Sequence, residues 1–152
     1  MRKWTQAVGA AGVVFLVSAG ASITASAQAP AGAGSSVGAG AYTEEQAKRG
    51  EAVSTKLCTS CHGPELSGGE AGPTLVGLEF LGNWTNLTAA DLYDRVHSSM
   101  PADAPGTLTP QQVSDVMSYV FKLNKFPAGT TELPTDVAAL KGIKIEGAQP
   151  AK

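Results

Sequence analysis

The feature that most constrains this chain is Cys58-Thr59-Ser60-Cys61-His62, in which two residues separate the cysteines and a histidine follows the second. This spacing is typical of covalent haem attachment. Two cysteines on one short turn can each form a thioether with a vinyl group of the same porphyrin. The imidazole of His62 then lies beneath the iron, where a ring nitrogen can ligate. The pattern therefore predicts one haem c, covalently bound through Cys58 and Cys61.

Three other interpretations of the cysteines remain open: a structural disulfide, a thioredoxin-type dithiol, and part of a zinc site. A thioredoxin motif should follow a strand in a βαβ unit, and no strand pattern is visible in the sequence. A zinc site would need His97 to complete the set offered by the motif, at no recognised zinc spacing. The sequence thus shows neither the strand that a thioredoxin motif needs nor a recognised spacing of zinc ligands.

Residues 1–27 have the pattern of a secretory signal peptide. They begin with Arg2 and Lys3, continue with an apolar run over residues 7–21, and end with Ala25-Ser26-Ala27, a small-x-small sequence. An uncleaved membrane anchor is the alternative, although the run is shorter than the ~20 residues that cross a bilayer comfortably. We therefore expect a periplasmic protein with no membrane span after cleavage.

The charge balance limits the kinds of partner. The chain has 11 basic and 13 acidic residues, and residues 1–27 hold two of the basic ones and no acid, which leaves the remainder near −4. Such a chain has no basic face for nucleic acid or anionic lipid. Free thiols would form disulfides in an oxidising compartment, and here the porphyrin would consume both cysteines. The sequence is therefore compatible with export to such a compartment.

Composition divides the exported part into three segments. Residues 28–41 are uncharged and rich in Gly, Ala and Ser, which predicts a flexible leader. Residues 42–126 should form the folded domain, and residues 127–152 a C-terminal arm with one possible helical turn at 136–140. The apolar residues with which the arm could pack over the domain are Leu133, Val137, Leu140, Ile143 and Ile145.

Three helices are expected, each with a start signal. The first begins at the capping box Thr43-Glu44-Glu45-Gln46 and leads into the haem turn. Thr88 and Asp91 start the second, which ends at Ser98-Ser99-Met100-Pro101. Thr109-Pro110-Gln111-Gln112 starts the third. The apolar stripe of the third helix is Val113, Val116, Met117, Val120 and Phe121.

The chain between His62 and residue 86 is rich in glycine and proline and has no sustained period. So long a loop is reasonable in a compact domain only if a flat porphyrin supplies part of the core. The predicted architecture is therefore all-α, with three main helices and wrapping loops around one covalently bound haem. The haem-lining candidates in this loop are Leu66, Leu75, Val76, Leu78, Phe80, Leu81 and Trp84.

The order of these features resembles the class I cytochrome c family over residues 42–126. The Cys58–His62 motif, Gly72-Pro73-Thr74-Leu75, Met100-Pro101 and a final amphipathic helix with Tyr119 carry the resemblance. The segments before the middle helix and after the last one are also similar to small cytochromes associated with periplasmic quinoprotein alcohol dehydrogenases and sulfur-oxidising dehydrogenases.

The resemblance implies a role for each matching residue. His62 would be the proximal iron ligand, and the backbone carbonyl of Pro73 would accept its other ring N–H. Gly50 would let the first helix cross closely against Tyr119 and Val120 of the last.

The sixth iron ligand is expected to be Met100, which lies where a helix gives way to a loop stiffened by Pro101. Met1 leaves with the signal peptide, and Met117 lies on a core stripe, where a packing role is expected. His97 is the competitor, but it projects from the helix one turn earlier.

Three further residues are secondary candidates. Trp84 could donate its indole N–H to a haem propionate or serve as a plain core aromatic. Arg95 could pair with a propionate, although a solvated helix face is the simpler interpretation. Ser54 departs from the family, which often carries an aromatic residue there, and this affects how tightly the first helix crosses the last.

His/Met ligation raises the reduction potential and leaves no open iron position. It favours a carrier of single electrons, not an enzyme, between a periplasmic dehydrogenase and a terminal oxidase or another cytochrome. The alternatives are a dedicated cytochrome subunit of a dehydrogenase, and a haem enzyme or gas sensor in which Met100 dissociates. The sequence has no second Cys-x-x-Cys-His, which argues against a di-haem peroxidase.

Overall fold

The structure is a computed structural model that describes Met1 and residues 36–146. The predicted signal peptide from residue 2 onward, most of the predicted leader, and the last six residues of the arm lie outside the described residues. Within the described part, no helix is long and apolar enough to cross a membrane.

Residues 36–146 form helices joined by loops, with two isolated β-bridges and no longer strand in that range. Short 3-10 turns occur at Val37–Ala39 and Pro64–Leu66. The all-α prediction is therefore confirmed. The helices are α1 (Glu44–Leu57), α2 (Thr59–His62), α3 (Gly77–Trp84), α4 (Ala89–Ser99), α5 (Pro110–Leu123) and α6 (Val137–Lys141).

Helices α1 and α5 cross closely at Gly50. A Cβ atom added to Gly50 would overlap the backbone carbonyl of Asp115 and lie 3.0 Å from the Cβ of Tyr119. The predicted approach to Tyr119 is confirmed, with Asp115 as the nearest neighbour. Ser54, one turn further along α1, is fully buried, and its hydroxyl has no hydrogen-bond partner among the described residues.

Helices α4 and α5 begin where their local signals predict. The Thr88 hydroxyl accepts from the N–H of Asp91, whose carboxylate accepts from the N–H of Thr88. Thr109 and Gln112 make the same pair of bonds at the start of α5. Each box satisfies two amides that a helix start leaves unpaired.

Helix α1 uses only half of its predicted capping box. The Thr43 hydroxyl accepts from the N–H of Gln46, as expected. The Gln46 side chain instead bonds to the backbone of Leu133, with Nε2 donating to the carbonyl over 3.0 Å and Oε1 accepting from the N–H over 2.7 Å. A buried glutamine thus ties the arm to α1.

The C-terminal arm is an integral part of the core. Asp136 caps α6 through its side chain, which extends the single turn predicted at residues 136–140. Val137 is 42% exposed and is not part of the core. The arm residues that are at least 98% buried are Leu133, Leu140, Ile143 and Ile145.

The predicted flexible leader extends too far toward the domain. Val37 and Ala41 are fully buried, and the N–H of Val37 donates to the carbonyl of Lys144 over 2.9 Å. Residues 36–41 therefore belong to the folded part, which was predicted to start at Tyr42. The difference arises because a distant arm supplies partners that local composition does not reveal.

The prediction of an irregular loop over residues 62–86 is wrong in part, because α3 forms within this segment. The Asn124 side-chain oxygen accepts from the N–H of Gly77, the first residue of α3, over 2.9 Å. A residue 47 positions later thus caps this helix. Leu78 on α3 is 88% exposed, so its assignment as a haem-lining residue is wrong.

Candidate functional site

A cavity of about 590 Å³ lies between the Cys58–His62 motif, the following loop and helices α3 to α5. Pockets of ~300–1,000 Å³ are the usual size for small molecules and cofactors. The structure brings all the predicted cofactor-binding residues together, and their individual roles stay predictions. The predicted residues that line the cavity are Cys58, Cys61, His62, Pro73, Leu75, Trp84 and Met100.

A tight turn at the end of α1 places both thiols at the cavity. The N–H groups of Cys61 and His62 both donate to the carbonyl of Cys58, over 3.1 and 2.9 Å. Both cysteines are unpaired and half-buried. Burial raises the pKa of the Cys58 thiol. A redox dithiol needs a lowered thiol pKa, so this environment does not favour that alternative.

The zinc alternative also finds no support in the described residues. His97 does not line the cavity, and its ring stacks on Tyr93 with the centroids 5.6 Å apart. No group of three His, Cys, Asp or Glu side chains within residues 36–146 could hold a metal ion. His97 is therefore absent from both the zinc set and the wall where an axial ligand would lie.

His62 is held in one orientation by the loop that follows it. Its Nδ1 lies 2.7 Å from the carbonyl oxygen of Pro73, and a carbonyl can only accept, so Nδ1 carries the proton. Gly72 also lies close to the ring, since a Cβ there would lie 3.0 Å from ring atoms Nδ1 and Cε1. Nε2 is left as the ring nitrogen available to a metal.

Two methionines reach the cavity from different helices. Met100 follows the last residue of α4 in an extended conformation, and its N–H donates to the carbonyl of Val96 over 3.0 Å. Met117 is buried on α5, as its stripe predicted, and it also lines the cavity. The two thioethers must therefore be distinguished by experiment.

Apolar side chains form most of the wall. Three of the predicted lining residues contribute, namely Leu75, Phe80 and Trp84, whereas Leu66, Val76 and Leu81 do not line the cavity. The apolar stripe predicted for the third helix also contributes to the wall, because periodicity cannot tell a core from a cavity. Val116, Met117 and Val120 of that stripe line the cavity, and the other apolar wall residues include Leu92, Val96 and Leu108.

A few polar residues also line the cavity. Arg95 does so from α4, and it forms no ion pair among the described residues. Asn83 and Asp103, which sequence reasoning did not single out, also belong to the lining. Arg95 therefore offers an unpaired cation to an anionic group in the cavity.

An all-α fold built around this cavity, with a histidine whose tautomer is fixed for metal binding, defines the class of the protein. It is a cytochrome of the c type, and haem c is the cofactor that this class implies.

Comparison with known proteins identifies the family within this class. Residues 45–120, half of the chain, match the family described as cytochrome c oxidase, cbb3-type, subunit III. The chain belongs to this family of cytochrome c domains. No relative is found among curated proteins.

One solved structure shares the fold. It is the sulfane dehydrogenase SoxCD from Paracoccus pantotrophus, with a TM-score of 0.54 and 24% sequence identity over 67% of this chain. The match covers 54% of that chain, so this protein spans about half its length. At this identity the similarity concerns the fold.

Proposed function

We propose that this protein is a periplasmic mono-haem cytochrome that carries single electrons between a dehydrogenase and a downstream acceptor. One observation above all supports the proposal: Cys58, Cys61, His62 and Met100 line a single, mostly apolar cavity. The acceptor would be a terminal oxidase or another cytochrome, and neither nucleic acid nor a membrane would be a partner.

The residues of the cavity fit haem c. Cys58 and Cys61 are unpaired thiols that would hold the porphyrin, and His62 and Met100 would hold the iron. Bound haem supplies one-electron redox chemistry. The chain would contribute an apolar wall that excludes water, a fixed imidazole tautomer, and the thioether of Met100 to hold the iron. Such a site favours electron transfer over oxygen chemistry.

Replacing each of the two methionines at the cavity tests the proposal directly. Met100→Ala should abolish the weak near-infrared band of methionine-ligated ferric haem, lower the reduction potential and let carbon monoxide bind the ferrous form. Met117→Leu removes the other thioether at the cavity wall and should leave the band intact. Loss of the band in Met117→Leu instead would contradict the assignment. Carbon monoxide binding to the wild type would favour the haem enzyme or sensor alternative.

A dedicated cytochrome subunit of a dehydrogenase is the second candidate. The similarity to a structure described as a sulfane dehydrogenase supports it. A free carrier should elute alone when the protein is purified from its native source by gel filtration. A dehydrogenase that elutes with this chain would favour the subunit function.

Export is the remaining part of the proposal, and it depends on residues 1–27. Cleavage after Ala27 should produce a chain that starts at Gln28 and is soluble. The intact mass of periplasmic protein measures the cleavage site. A mass that includes residues 1–27 would instead indicate an uncleaved anchor.

A further inference from the structure

Asn124 is a buried amide that holds, from outside the cavity, the end of the loop between α2 and α3. It lies at the end of α5, is 5% exposed and is not part of the cavity lining. Its Oδ1 accepts from the N–H of Gly77 over 2.9 Å. Its Nδ2 donates to the carbonyls of Leu75 and Val120, each over 2.9 Å. One side chain thus fixes the backbone on both sides of Val76.

The segment that Asn124 holds carries the carbonyl group that orients His62. Pro73 lies two residues before Leu75, and its oxygen is 2.7 Å from His62 Nδ1. The N–H of Leu75 donates to the carbonyl of the fully buried Leu66 over 2.8 Å. The backbone after Pro73 is therefore anchored by Leu66 and by Asn124.

We propose that Asn124 is a positioning residue for the haem site: its grip on residues 75–77 fixes the Pro73 carbonyl that orients His62 and shields the Nδ1 proton. This inference rests on the proposed function and deepens it. Asn124 does not touch the cavity, so its influence on the iron passes through the loop and the imidazole.

The hydrogen bond to Nδ1 makes the imidazole a more basic ligand, and a more basic ligand favours ferric over ferrous iron. When the loop loosens, this bond should weaken. The reduction potential should then rise, and the Nδ1 proton should exchange faster with solvent. A purely structural residue would change the stability but neither of these two properties.

Gln46 offers a matched control. It is also a fully buried amide that makes two bonds to the backbone of a distant segment, at Leu133. That segment belongs to the arm and does not line the cavity. Gln46→Met and Asn124→Leu both remove a buried amide at similar side-chain size and leave backbone groups unpaired, so both should lower the midpoint of denaturant unfolding.

The experiment uses the full chain with covalently attached haem. The potential is measured by redox titration, and the exchange of the His62 Nδ1 proton by NMR of the ferrous form. Asn124→Leu should raise the potential and accelerate the exchange about tenfold or more, since loop opening governs exchange. Gln46→Met should change neither.

Asn124→Ser keeps the test decisive if Asn124→Leu does not fold. It loses the bonds to Gly77 and Leu75 and keeps a hydroxyl that can donate to the carbonyl of Val120 four residues earlier, so a change in the same direction is expected. Wild-type values in every Asn124 variant that folds, or equal changes in Gln46→Met, would overturn the proposal. Failure of the proposed function is distinct, because the wild type would then either show no haem band after denaturing electrophoresis or bind carbon monoxide, whatever the Asn124 variants do.

Discussion

Tyr42 joins the start of α1 to the segment that follows α5. Its hydroxyl is buried and donates to the carbonyl of Phe126 over 2.7 Å. Burial, and secondarily the charge of Glu44, raises the pKa of Tyr42 to about 12. The unfolded value is ~10, so the stability that depends on the neutral phenol is fully present below that pH. It is lost as the pH rises toward 12.

Tyr42→Phe tests this contact by its pH dependence. At neutral pH the variant should lose about 1 kcal/mol of unfolding free energy, because the hydrogen bond is missing. The difference from wild type should shrink above pH ~10, since only the wild type has a phenol that ionises on unfolding. Urea unfolding of the haem-loaded protein at several pH values measures the difference. A constant difference up to pH ~12 would contradict this explanation.

Single residues of the site were predictable where covalent chemistry dictates spacing. The place of Cys58, Cys61 and His62 at the cavity follows from their motif alone, and that of Met100 from scarcity and position, while their roles toward haem stay predictions. Asn124 was not predictable, because its partners lie 47 and 49 positions away.

At the scale of elements, local signals predicted α1, α4 and α5, whose starts are capped by residues within the same turn. Helix α3 has no side-chain cap of its own at Val76, and its sequence contains Gly77 and Gly82. Glycine lowers helix propensity, so the distant cap and the packing of Phe80, Leu81 and Trp84 against the core stabilise it. Such tertiary stabilisation leaves no periodic signal.

The arm allows a matched pair of substitutions on α6. Leu140→Ala removes a fully buried side chain and should lower the unfolding free energy by about 2–5 kcal/mol. Val137→Ala, on the same helix but 42% exposed, should change it by less than about 0.5 kcal/mol. Denaturant titration of the haem-loaded proteins measures both. Equal effects would mean that the arm detaches readily from the domain.

At the scale of the whole molecule, the cavity and the charge distribution should determine how the protein docks with a redox partner. Without residues 1–27 the chain has a net charge near −4, and Lys56 is the lysine nearest in sequence to the Cys58–His62 motif. We expect the protein to dock through an apolar patch beside the cavity, bordered by Ala102, Ala104 and Pro105 after Met100, of which Ala102 lines the cavity. An apolar patch with little charge should dock without strong long-range attraction.

The rate of electron exchange with the partner should therefore depend only weakly on salt. Ionic strength screens charges beyond ~8 Å at physiological salt, and here there is little attraction to screen. Stopped-flow reduction by candidate periplasmic dehydrogenases, from low to physiological ionic strength, measures this dependence. A steep fall in rate would indicate a strongly basic partner surface.

Gly50 has a consequence for how this protein can evolve. Every other amino acid has a Cβ atom, and at this position that atom would overlap the backbone of Asp115, which no rotamer change can move. A single substitution at Gly50 must separate α1 from α5. A replacement of Gly50 alone should therefore not be tolerated. Any other residue at this position would require a second substitution that shifts one of the two helices.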